Sequence, residues 1–340
     1  MGQFENSKIV SFSNSQIFRM RMKFRTEVDI QESKKKIGVE DKIFSIGSCF
    51  ASEMSDLLHQ GQLQTENNPF GTIFNPFSIS NAVKRLHDSE FYEEEELITF
   101  DETFISLDHH TSFDTRYIHQ TLDKINSRIT EGNQFLQETG WVIITYGTSF
   151  IYEFTPKNKL VANCHRIPQK FFEKRLLSHQ ELTDAIYDTI LNLKDICKDN
   201  VQILFTVSPV RHTKDGMVEN QLSKSKLITS IHEMTEELDY CHYLPIYEIL
   251  MDDLRDYRFY KEDMIHPTEQ AVNYIFEKFG NAYFSDETKE FMRENFKISK
   301  ALEHRSSDEK DPKYIAFREK LEERIKAQRK KVKHNIFPND

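Results

Sequence analysis

The sequence predicts an α/β protein built on a mostly parallel β-sheet. Three continuous runs of apolar and β-branched residues, at 42–46, 141–146 and 201–207, are typical of strands that are buried on both faces. Segments with apolar residues at helical spacing lie between these runs, and this alternation is typical of a parallel sheet covered by helices. Candidate reactive residues come just after the ends of these strands, at Gly47-Ser48, Gly147-Thr148 and Ser208, where open α/β sheets place their functional sites.

The other elements follow from apolar periodicity and from turn residues. Helices are predicted, in chain order, at residues 51–60, 78–86, 118–137, 180–197, 219–238, 246–251 and 268–283. Short strands are predicted at 63–65 and 242–244, and a hairpin is predicted from 150–154 and 160–162. Residues 67–76 are rich in Asn, Pro and Gly and are expected to form a loop.

Composition divides the chain into three parts. Residues 1–22 are polar and irregular, and we expect a flexible N-terminal extension. Residues 23–285 carry the α/β pattern, which an acidic stretch at 87–117 interrupts; we expect an insertion of loops with a hairpin there. Residues 286–340 are rich in Lys, Glu and Arg and predict a charged helical extension. A solvated appendage is the simpler interpretation of its charge, and partner docking or self-association through the basic run 324–334 is the alternative.

The bulk composition argues against several classes of function. A formal net charge of −10 disfavours sequence-independent nucleic-acid binding, which needs a basic surface. The four cysteines form no CxxC pair, so we expect neither a zinc site nor a disulfide framework, and a reducing compartment fits. No run reaches the ~18–20 apolar residues of a membrane span, and no secretory signal is recognised. We therefore expect a cytoplasmic protein that needs no metal or organic cofactor.

Ser48 is the first candidate for chemistry. It lies in the turn between the strand at 42–46 and the helix at 51–60, where a hydroxyl can be exposed beside the first N–H groups of the helix. These donors and the helix dipole favour a developing oxyanion. The alternative is that Ser48 only caps the helix, by accepting a hydrogen bond from one of its free N–H groups.

Asp263 and His266 supply the other groups that acyl transfer requires. At a spacing of three residues on a turn, both side chains can face the same way. Asp263 can then accept a hydrogen bond from one imidazole nitrogen and fix the tautomer, while the other nitrogen takes a proton from Ser48. The alternative is a capping pair ahead of the helix that begins near Pro267.

Several motifs together resemble one family. The run Ile46-Gly47-Ser48-Cys49-Phe50-Ala51 is similar to the signature of the GSCFA family, which is named for those letters. Further similarity lies in the segments Asn68-Pro69-Phe70-Gly71-Thr72, Asn163-Cys164-His165, Ser208-Pro209-Val210-Arg211 and Arg255-Asp256-Tyr257-Arg258-Phe259-Tyr260. The resemblance extends over about residues 23–290.

The resemblance implies a fold and a chemistry. The GSCFA family is related to the SGNH, or GDSL-like, hydrolases, and this implies a flavodoxin-like three-layer α/β/α fold with a Ser-His-Asp triad. By position, Ser48 matches the nucleophile, and Asp263 and His266 match the Asp-x-x-His of the last block. Gly71 matches a glycine whose backbone N–H, together with that of Ser48, forms the oxyanion hole.

The third block departs from the SGNH pattern. There an Asn side chain completes the oxyanion hole after a central strand, whereas this strand runs into Gly147-Thr148-Ser149. We expect Thr148 or Ser149 to donate instead, or Asn163 to supply the missing amide. Removal of one such donor can cost about 10²–10³ in rate.

Other polar residues have two interpretations each. Asn68, His165 and Arg211 are candidate substrate contacts, with structural hydrogen bonding as the alternative. Cys49 is an alternative nucleophile, because the run from Gly47 to Phe50 also resembles papain-like proteases. The stretch Asp108-His109-His110 is expected to place exposed histidines on a loop rather than to bind a metal.

The sequence thus favours a serine esterase or acyltransferase of SGNH type, which forms an acyl-enzyme on Ser48 and acts on an acyl ester, for example of a carbohydrate. A binding or scaffold protein that keeps the fold without turnover is the alternative, because the third-block Asn is missing. A hydrolase that depends on Cys49 is a lesser alternative.

Overall fold

The computed structural model describes residues 25–304 and 311–338. The predicted flexible extension, residues 1–22, lies outside the described residues.

The strands of the described chain are, in order, β1 (Lys42–Gly47), β2 (Gln64–Asn67), β3 (Ile98–Phe100), β4 (Thr103–Ile105), β5 (Thr139–Tyr146), β6 (Phe150–Phe154), β7 (Lys159–Val161), β8 (Phe172–Leu176), β9 (Gln202–Val207) and β10 (Cys241–Tyr243). The α-helices of three turns or more are α1 (Cys49–Gln60), α2 (Pro76–Asp88), α3 (Ile118–Gln137), α4 (His179–Ile196), α5 (Met217–Glu236), α6 (Glu269–Tyr283), α7 (Asp286–Leu302) and α8 (Pro312–Arg329).

The central sheet has five strands in the order β2-β1-β5-β9-β10, and every neighbouring pair is parallel. Numbered within the sheet alone, this is the order 2-1-3-4-5 of flavodoxin-like folds. The fold class predicted from the sequence is therefore confirmed: a mostly parallel sheet with helices on both faces.

The register brings three strand ends to one edge of the sheet. Gly47, the last residue of β1, pairs with Thr145 of β5, and Tyr146 at the end of β5 pairs with Val207 at the end of β9. The residues that follow β1, β5 and β9 therefore lie at the same carboxyl edge. The chain order reverses between β1 and β5, and such a switch point is where these folds bind ligands.

Two apolar layers cover the sheet because successive strand residues point to opposite faces. Helices α2, α3, α4 and α5 pack on the face that carries Phe44 and Ile144. Helices α1, α6, α7 and α8 pack on the face that carries Ile43 and Trp141. All four of these strand side chains are fully buried.

The predicted elements up to residue 283 are present, with small shifts of their ends. The hairpin expected in the insertion is β3–β4, and the one expected after the central strand is β6–β7. Strand β8 was not predicted: it alternates buried and exposed residues and pairs with β6 alone. The helix expected at 246–251 is one α-helical turn, Ile246–Glu248, which continues as a π-helical turn, Ile249–Asp253.

The C-terminal helices pack on the domain and are not a solvated appendage. Phe291 of α7 and Leu321 and Ile325 of α8 are buried in the same apolar layer as Trp141. Arg324 on α8 also forms an ion pair of 2.7 Å with Glu294 on α7. The charged residues cover the outer side of these helices. Because they are so numerous, the narrow apolar stripe is difficult to recognise in the sequence.

No helix in the part of the chain that the structure describes has the length and apolar character required to cross a membrane.

Candidate active site

Ser48 lies at the carboxyl end of β1, in the turn that leads into α1, and is almost fully buried. It occupies the N-cap position of α1, yet its side chain accepts no hydrogen bond from the helix. Its hydroxyl has no hydrogen-bond partner among the described residues. By contrast, Ser178, Thr268 and Ser285, at the same position of their helices, each accept a backbone N–H. The capping alternative for Ser48 therefore has no support, and its hydroxyl is uncommitted.

Asp263 and His266 form a hydrogen-bonded pair. Asp263 Oδ2 lies 2.7 Å from His266 Nδ1, and Asp263 Oδ1 accepts the backbone N–H groups of His266 and Ile265, at 3.0 and 2.8 Å. The bonds from His266, and then that from Ile265, hold the pKa of Asp263 well below its ordinary range. The ionised carboxylate favours the proton on Nδ1, which leaves Nε2 to accept one. The next helix, α6, is capped by Thr268, so Asp263 is not needed as its cap.

Arg211 ties the loop of this pair to the end of β9. Its backbone N–H donates to the carbonyl of Ile265, and its guanidinium donates to the carbonyl of Met264, at 3.3 and 3.2 Å. The guanidinium also lies over the ring of Tyr260, 3.9 Å from its centroid. Arg211 borders a small cavity of about 190 Å³ next to this loop, so a positioning role and a substrate contact are both compatible with its place.

An ion pair ties the same loop to α1. Lys261 Nζ lies 3.4 Å from Glu53 Oε1, one and a half turns along the helix from Ser48. Burial raises the pKa of Glu53, and the nearby charges of Lys261 and His266 oppose this shift. The loop therefore lies over the start of α1, but no hydrogen bond joins the Ser48 hydroxyl to His266. The Asp–His half of the predicted triad is formed, and the Ser–His hydrogen bond is not made in this conformation.

Both backbone amides predicted for the oxyanion hole have acceptors within the protein. The Ser48 N–H donates to the carbonyl of Thr145 at 3.0 Å, and the Gly71 N–H donates to the carbonyl of Asn68 at 2.7 Å. Gly71 has a φ of +73°, a left-handed conformation that closes this tight turn. Within the described chain the next amide, that of Thr72, has no acceptor.

The third-block residues point away from the expected hollow. The Ser149 hydroxyl lies 3.2 Å from the carbonyl oxygen of Ser223 on α5, and Ser149 is fully buried. The Thr148 hydroxyl lies 3.0 Å from the Ser223 hydroxyl and accepts the N–H of Phe150. Both hydroxyls anchor β5 to α5, so neither is free in this conformation to replace the missing Asn.

His165 is committed to the insertion, and Asn163 is joined to it through the bond from its backbone N–H to the carbonyl of Leu107, at 3.1 Å. The Nδ2 of Asn163, the expected oxyanion donor, has no acceptor among the described residues. Asn163 Oδ1 accepts the His165 N–H at 2.9 Å. The two ring nitrogens of His165 contact Asp114 at 3.0 Å and the carbonyl of Ser106 at 2.8 Å, and its side chain is 1% exposed. His165 therefore has the structural role that was the alternative to substrate binding, because both of its ring nitrogens already have partners within the protein.

Asn68 holds the turn that presents Ser48. Its Oδ1 accepts the N–H of Gly47 at 2.7 Å, and its Nδ2 donates to the hydroxyl of Ser52 at 2.9 Å. Its side-chain amide thus connects the end of β1 to the first turn of α1. Asn68 therefore also has a structural role, which is to fix the position of Ser48, the candidate nucleophile.

The expectation of exposed loop histidines is wrong for His109. Its ring is buried, stacks on Phe70 with centroids 4.4 Å apart, and contacts the Ser106 hydroxyl through Nδ1 at 2.7 Å. Burial lowers its pKa well below the ordinary value. The aromatic contacts of the insertion, which periodicity does not reveal, explain the difference. Among the described residues, no group of three or more His, Cys, Asp or Glu side chains could hold a metal ion.

Cys49 is half-buried at the start of α1. Burial raises the pKa of its thiol, and the charge of Glu53 adds to the effect, while hydrogen bonding from the backbone amides of Phe50 and Cys49 opposes it. Reactive cysteines have lowered pKa values, because the thiolate is the nucleophile. This environment does not favour Cys49 as the attacking group.

Lys224 is a site residue that the sequence analysis missed. It is 1% exposed, and its Nζ donates to the carbonyls of Gly147 and Ser208, both at 2.7 Å. These carbonyls directly follow β5 and β9, so the ammonium lies at the functional edge of the sheet. Burial lowers the pKa of Lys224 to about 7, and a thiolate at Cys49 would counteract this shift.

A polar stripe on α5 is the sequence signal that could have found this lysine. The residues of α5 that turn inward are Asn220, Ser223, Lys224, Leu227, Ser230 and Ile231. Their spacing is that of a buried helix face, but most of the positions are polar. A buried face with polar residues predicts contacts to backbone groups at a site, since buried polar groups are satisfied in native proteins.

His212 was also missed. It is half-buried and packs edge-on against Phe74, with centroids 6.0 Å apart. Burial, followed by the charge of Lys224, lowers its pKa to about 4, so its ring is neutral at physiological pH. Its backbone N–H donates to Asn220 of α5 at 2.8 Å, which links the loop after β9 to the polar stripe.

The fold and these residues define a class: a doubly wound α/β protein with a serine turn and an Asp–His pair at the carboxyl edge of its sheet. The model of the GSCFA family matches residues 42–279, which is more than half of the chain. The protein belongs to the GSCFA family.

Comparison with curated proteins finds no match to the sequence. Among solved structures, the chain is similar to a family 3 carbohydrate esterase of Clostridium thermocellum, at 11% identity and a TM-score of 0.35, over 75% of this chain and 98% of that one. It is also similar to a DUF4886 family protein of Bacteroides uniformis, at 8% identity and a TM-score of 0.37, over 78% of this chain and 97% of that one. Similarity at this level carries no information about activity.

Proposed function

We propose that the protein is a serine esterase or acyltransferase of SGNH type, which acts through an acyl-enzyme on Ser48. The observation that carries the proposal is the uncommitted hydroxyl of Ser48. It is buried, makes no capping bond and lies at the edge of the sheet over which the Asp263–His266 loop is held. Buried hydroxyls normally have a partner, and one without a partner at a functional edge calls for a functional explanation.

In the proposed reaction Ser48 Oγ bonds to the carbonyl carbon of an ester while its proton passes to His266 Nε2. Asp263 stabilises the imidazolium through the 2.7 Å contact with Nδ1. The proton then goes to the departing alcohol as the ester C–O bond breaks. Attack of water on the acyl-enzyme completes hydrolysis, and attack of another hydroxyl completes transfer.

The negative oxygen of the tetrahedral intermediate requires donors. The amide of Thr72 has no acceptor in the described chain, and the amides of Cys49 and Phe50, which begin α1 beside the serine turn, have no backbone acceptor there. We propose these groups as donors in place of the Ser48 and Gly71 amides, which are already bonded. An acylated carbohydrate is the first substrate class to test, by analogy with SGNH hydrolases and not from the geometry.

A fluorophosphonate probe tests the proposal, because it modifies activated serines covalently. We expect labelling of the wild type, loss of labelling in Ser48→Ala and retained labelling in Cys49→Ala. Ser285→Ala is the matched control, since it removes a serine hydroxyl that caps a helix far along the chain. Labelling that depends on Cys49 alone would contradict the proposal and favour a cysteine nucleophile.

A binding or scaffold protein without turnover is the second candidate. The observation that favours it is that the Ser48 and Gly71 amides and the Ser149 hydroxyl all have partners within the protein. A folded wild type that resists the probe across pH 6–9 and hydrolyses no acetylated sugar or nitrophenyl ester would support this candidate and exclude the enzyme.

A further inference from the structure

Lys224 is buried without a counter-ion. Its ammonium has two carbonyl acceptors, Gly147 and Ser208, and in the described chain it forms no ion pair with a carboxylate. Lysine is among the residues that are almost never fully buried unless paired. Since burial of an unpaired charge is costly, its presence at this place requires an explanation.

The lysine lies at the same edge of the sheet as the serine turn. Gly147 and Ser208 directly follow β5 and β9, and β5 is the neighbour of β1, which ends at the Ser48 turn. Cys49, the residue after Ser48, is within electrostatic reach of Lys224. The start of α1 points its own partial positive charge at the same region.

The titratable groups that face Lys224 leave its charge uncompensated at neutral pH. They are Cys49, on α1, and His212, in the loop after β9. Burial raises the pKa of the Cys49 thiol and lowers that of His212 to about 4, so both are neutral. The local field is therefore positive wherever Lys224 itself is protonated, and its pKa of about 7 makes this form prevail below neutral pH.

We propose that Lys224 is a positioning residue of the acyl-transfer site: it fixes the ends of β5 and β9 beneath the serine turn and supplies a buried positive charge that the oxyanion of the transition state compensates. This inference rests on the proposed function. We assign Lys224 no contact with the substrate, because the two hydrogen bonds of its ammonium go to the carbonyls of Gly147 and Ser208. It acts through the field and through the backbone of Gly147 and Ser208, in the manner of preorganised electrostatic stabilisation.

The test measures the rate at which a fluorophosphonate labels Ser48, as a function of pH, in the full chain. The variants are Lys224→Met, Lys224→Arg and, as a matched control, Lys226→Met. Lys226 is a part-buried lysine of the same helix that also donates to a backbone carbonyl, that of Leu177, at 3.0 Å. We expect Lys224→Met to be labelled about ten-fold or more slowly, Lys224→Arg to recover part of the rate, and the control to match the wild type.

The pH profile separates an electrostatic role from a merely structural one. In the wild type we expect the rate to fall on the alkaline side as Lys224 loses its proton, and in Lys224→Met we expect this fall to be absent. A folded Lys224→Met that is labelled at the wild-type rate at every pH overturns the inference. If Lys224→Met does not fold, a wild-type profile without the alkaline fall overturns it equally.

Failure of the underlying function looks different. A wild type that is not labelled at Ser48 overturns the proposed function, and this inference with it. If the wild type is labelled normally and the rate does not depend on Lys224, the inference about Lys224 is wrong and the proposed function stands.

Discussion

Asp263 binds the ring and the backbone of His266 at once. One carboxylate oxygen lies 2.7 Å from Nδ1, and the other accepts the His266 N–H at 3.0 Å. Asp263→Asn keeps an oxygen for the backbone but can place an amide N–H against Nδ1, which favours the wrong tautomer. We expect the loop to stay folded and the rate of Ser48 labelling to fall by about 10³–10⁴. Stopped-flow labelling and circular dichroism check this, and a variant within two-fold of the wild-type rate would exclude the pair from catalysis.

Removal of the Ser48 hydroxyl should abolish activity without loss of stability. The group is buried and makes no hydrogen bond in the described chain, so Ser48→Ala removes an unsatisfied polar atom. We expect the free energy of unfolding to stay equal or to rise by up to about 1 kcal/mol, as at functional sites that trade stability for activity.

The comparison for Ser48→Ala is Ser285→Ala, which removes a real cap. Ser285 Oγ accepts the Thr288 N–H at 3.0 Å, so this variant should lose about 1 kcal/mol and keep its activity. Urea unfolding of both variants gives the two values. A loss of more than about 1 kcal/mol in Ser48→Ala would show that its hydroxyl has a structural role.

The sequence predicted those parts of the molecule that are encoded locally. Strands β1, β5 and β9 are continuous apolar runs, and Asp263 and His266 meet because they are three residues apart on one turn. The sequence could not predict that Ser149 turns towards Ser223, since the two are 74 residues apart.

The same limit applies to partners that lie far apart elsewhere in the chain. Lys224 looks like a surface lysine until α5 is packed against the ends of β5 and β9. In α8 the apolar stripe is reduced to a few positions among charged neighbours, so composition does not reveal that these positions are buried in the apolar layer that includes Trp141.

A glycine is required at position 47 because the backbone of β5 lies too close to leave space for a side chain. It has a φ of +141°, and a Cβ there would lie 2.2 Å from the carbonyl oxygen of Thr145. We expect Gly47→Ala to destabilise the protein by at least about 3 kcal/mol, because the backbone of both strands must shift. Gly38→Ala is the control: its nearest contact would be Asp41 Oδ2 at 3.5 Å, and its effect should stay within about 1 kcal/mol. Equal urea midpoints for the two variants would contradict this account.

The two C-terminal helices should contribute to the stability of the whole domain. Leu321 is 2% exposed and belongs to the apolar layer of the sheet, whereas Ile315 on the same helix is 46% exposed. We expect Leu321→Ala to lower the free energy of unfolding by about 2–4 kcal/mol, and Ile315→Ala to change it by less than about 0.5 kcal/mol. A single cooperative urea transition that shifts only for Leu321→Ala is the expected result. A separate early transition would instead show that α8 unfolds independently of the domain.

Burial lowers the pKa of Lys224, so this residue should make the free energy of unfolding increase with pH. Its pKa is about 7 in the folded protein, against an ordinary value of 10.5. Between these values the unfolded chain binds more protons than the folded one, so the free energy of unfolding rises with pH, by up to about 1.4 kcal/mol per unit. Since other groups titrate as well, the quantity to measure is the difference in unfolding free energy between the wild type and Lys224→Met at pH 6, 7, 8 and 9. We expect this difference to move steadily in favour of the wild type above pH 7, and to show no comparable trend for Lys226→Met. A difference that is constant with pH would mean that the ammonium of Lys224 is as well stabilised inside the protein as in water.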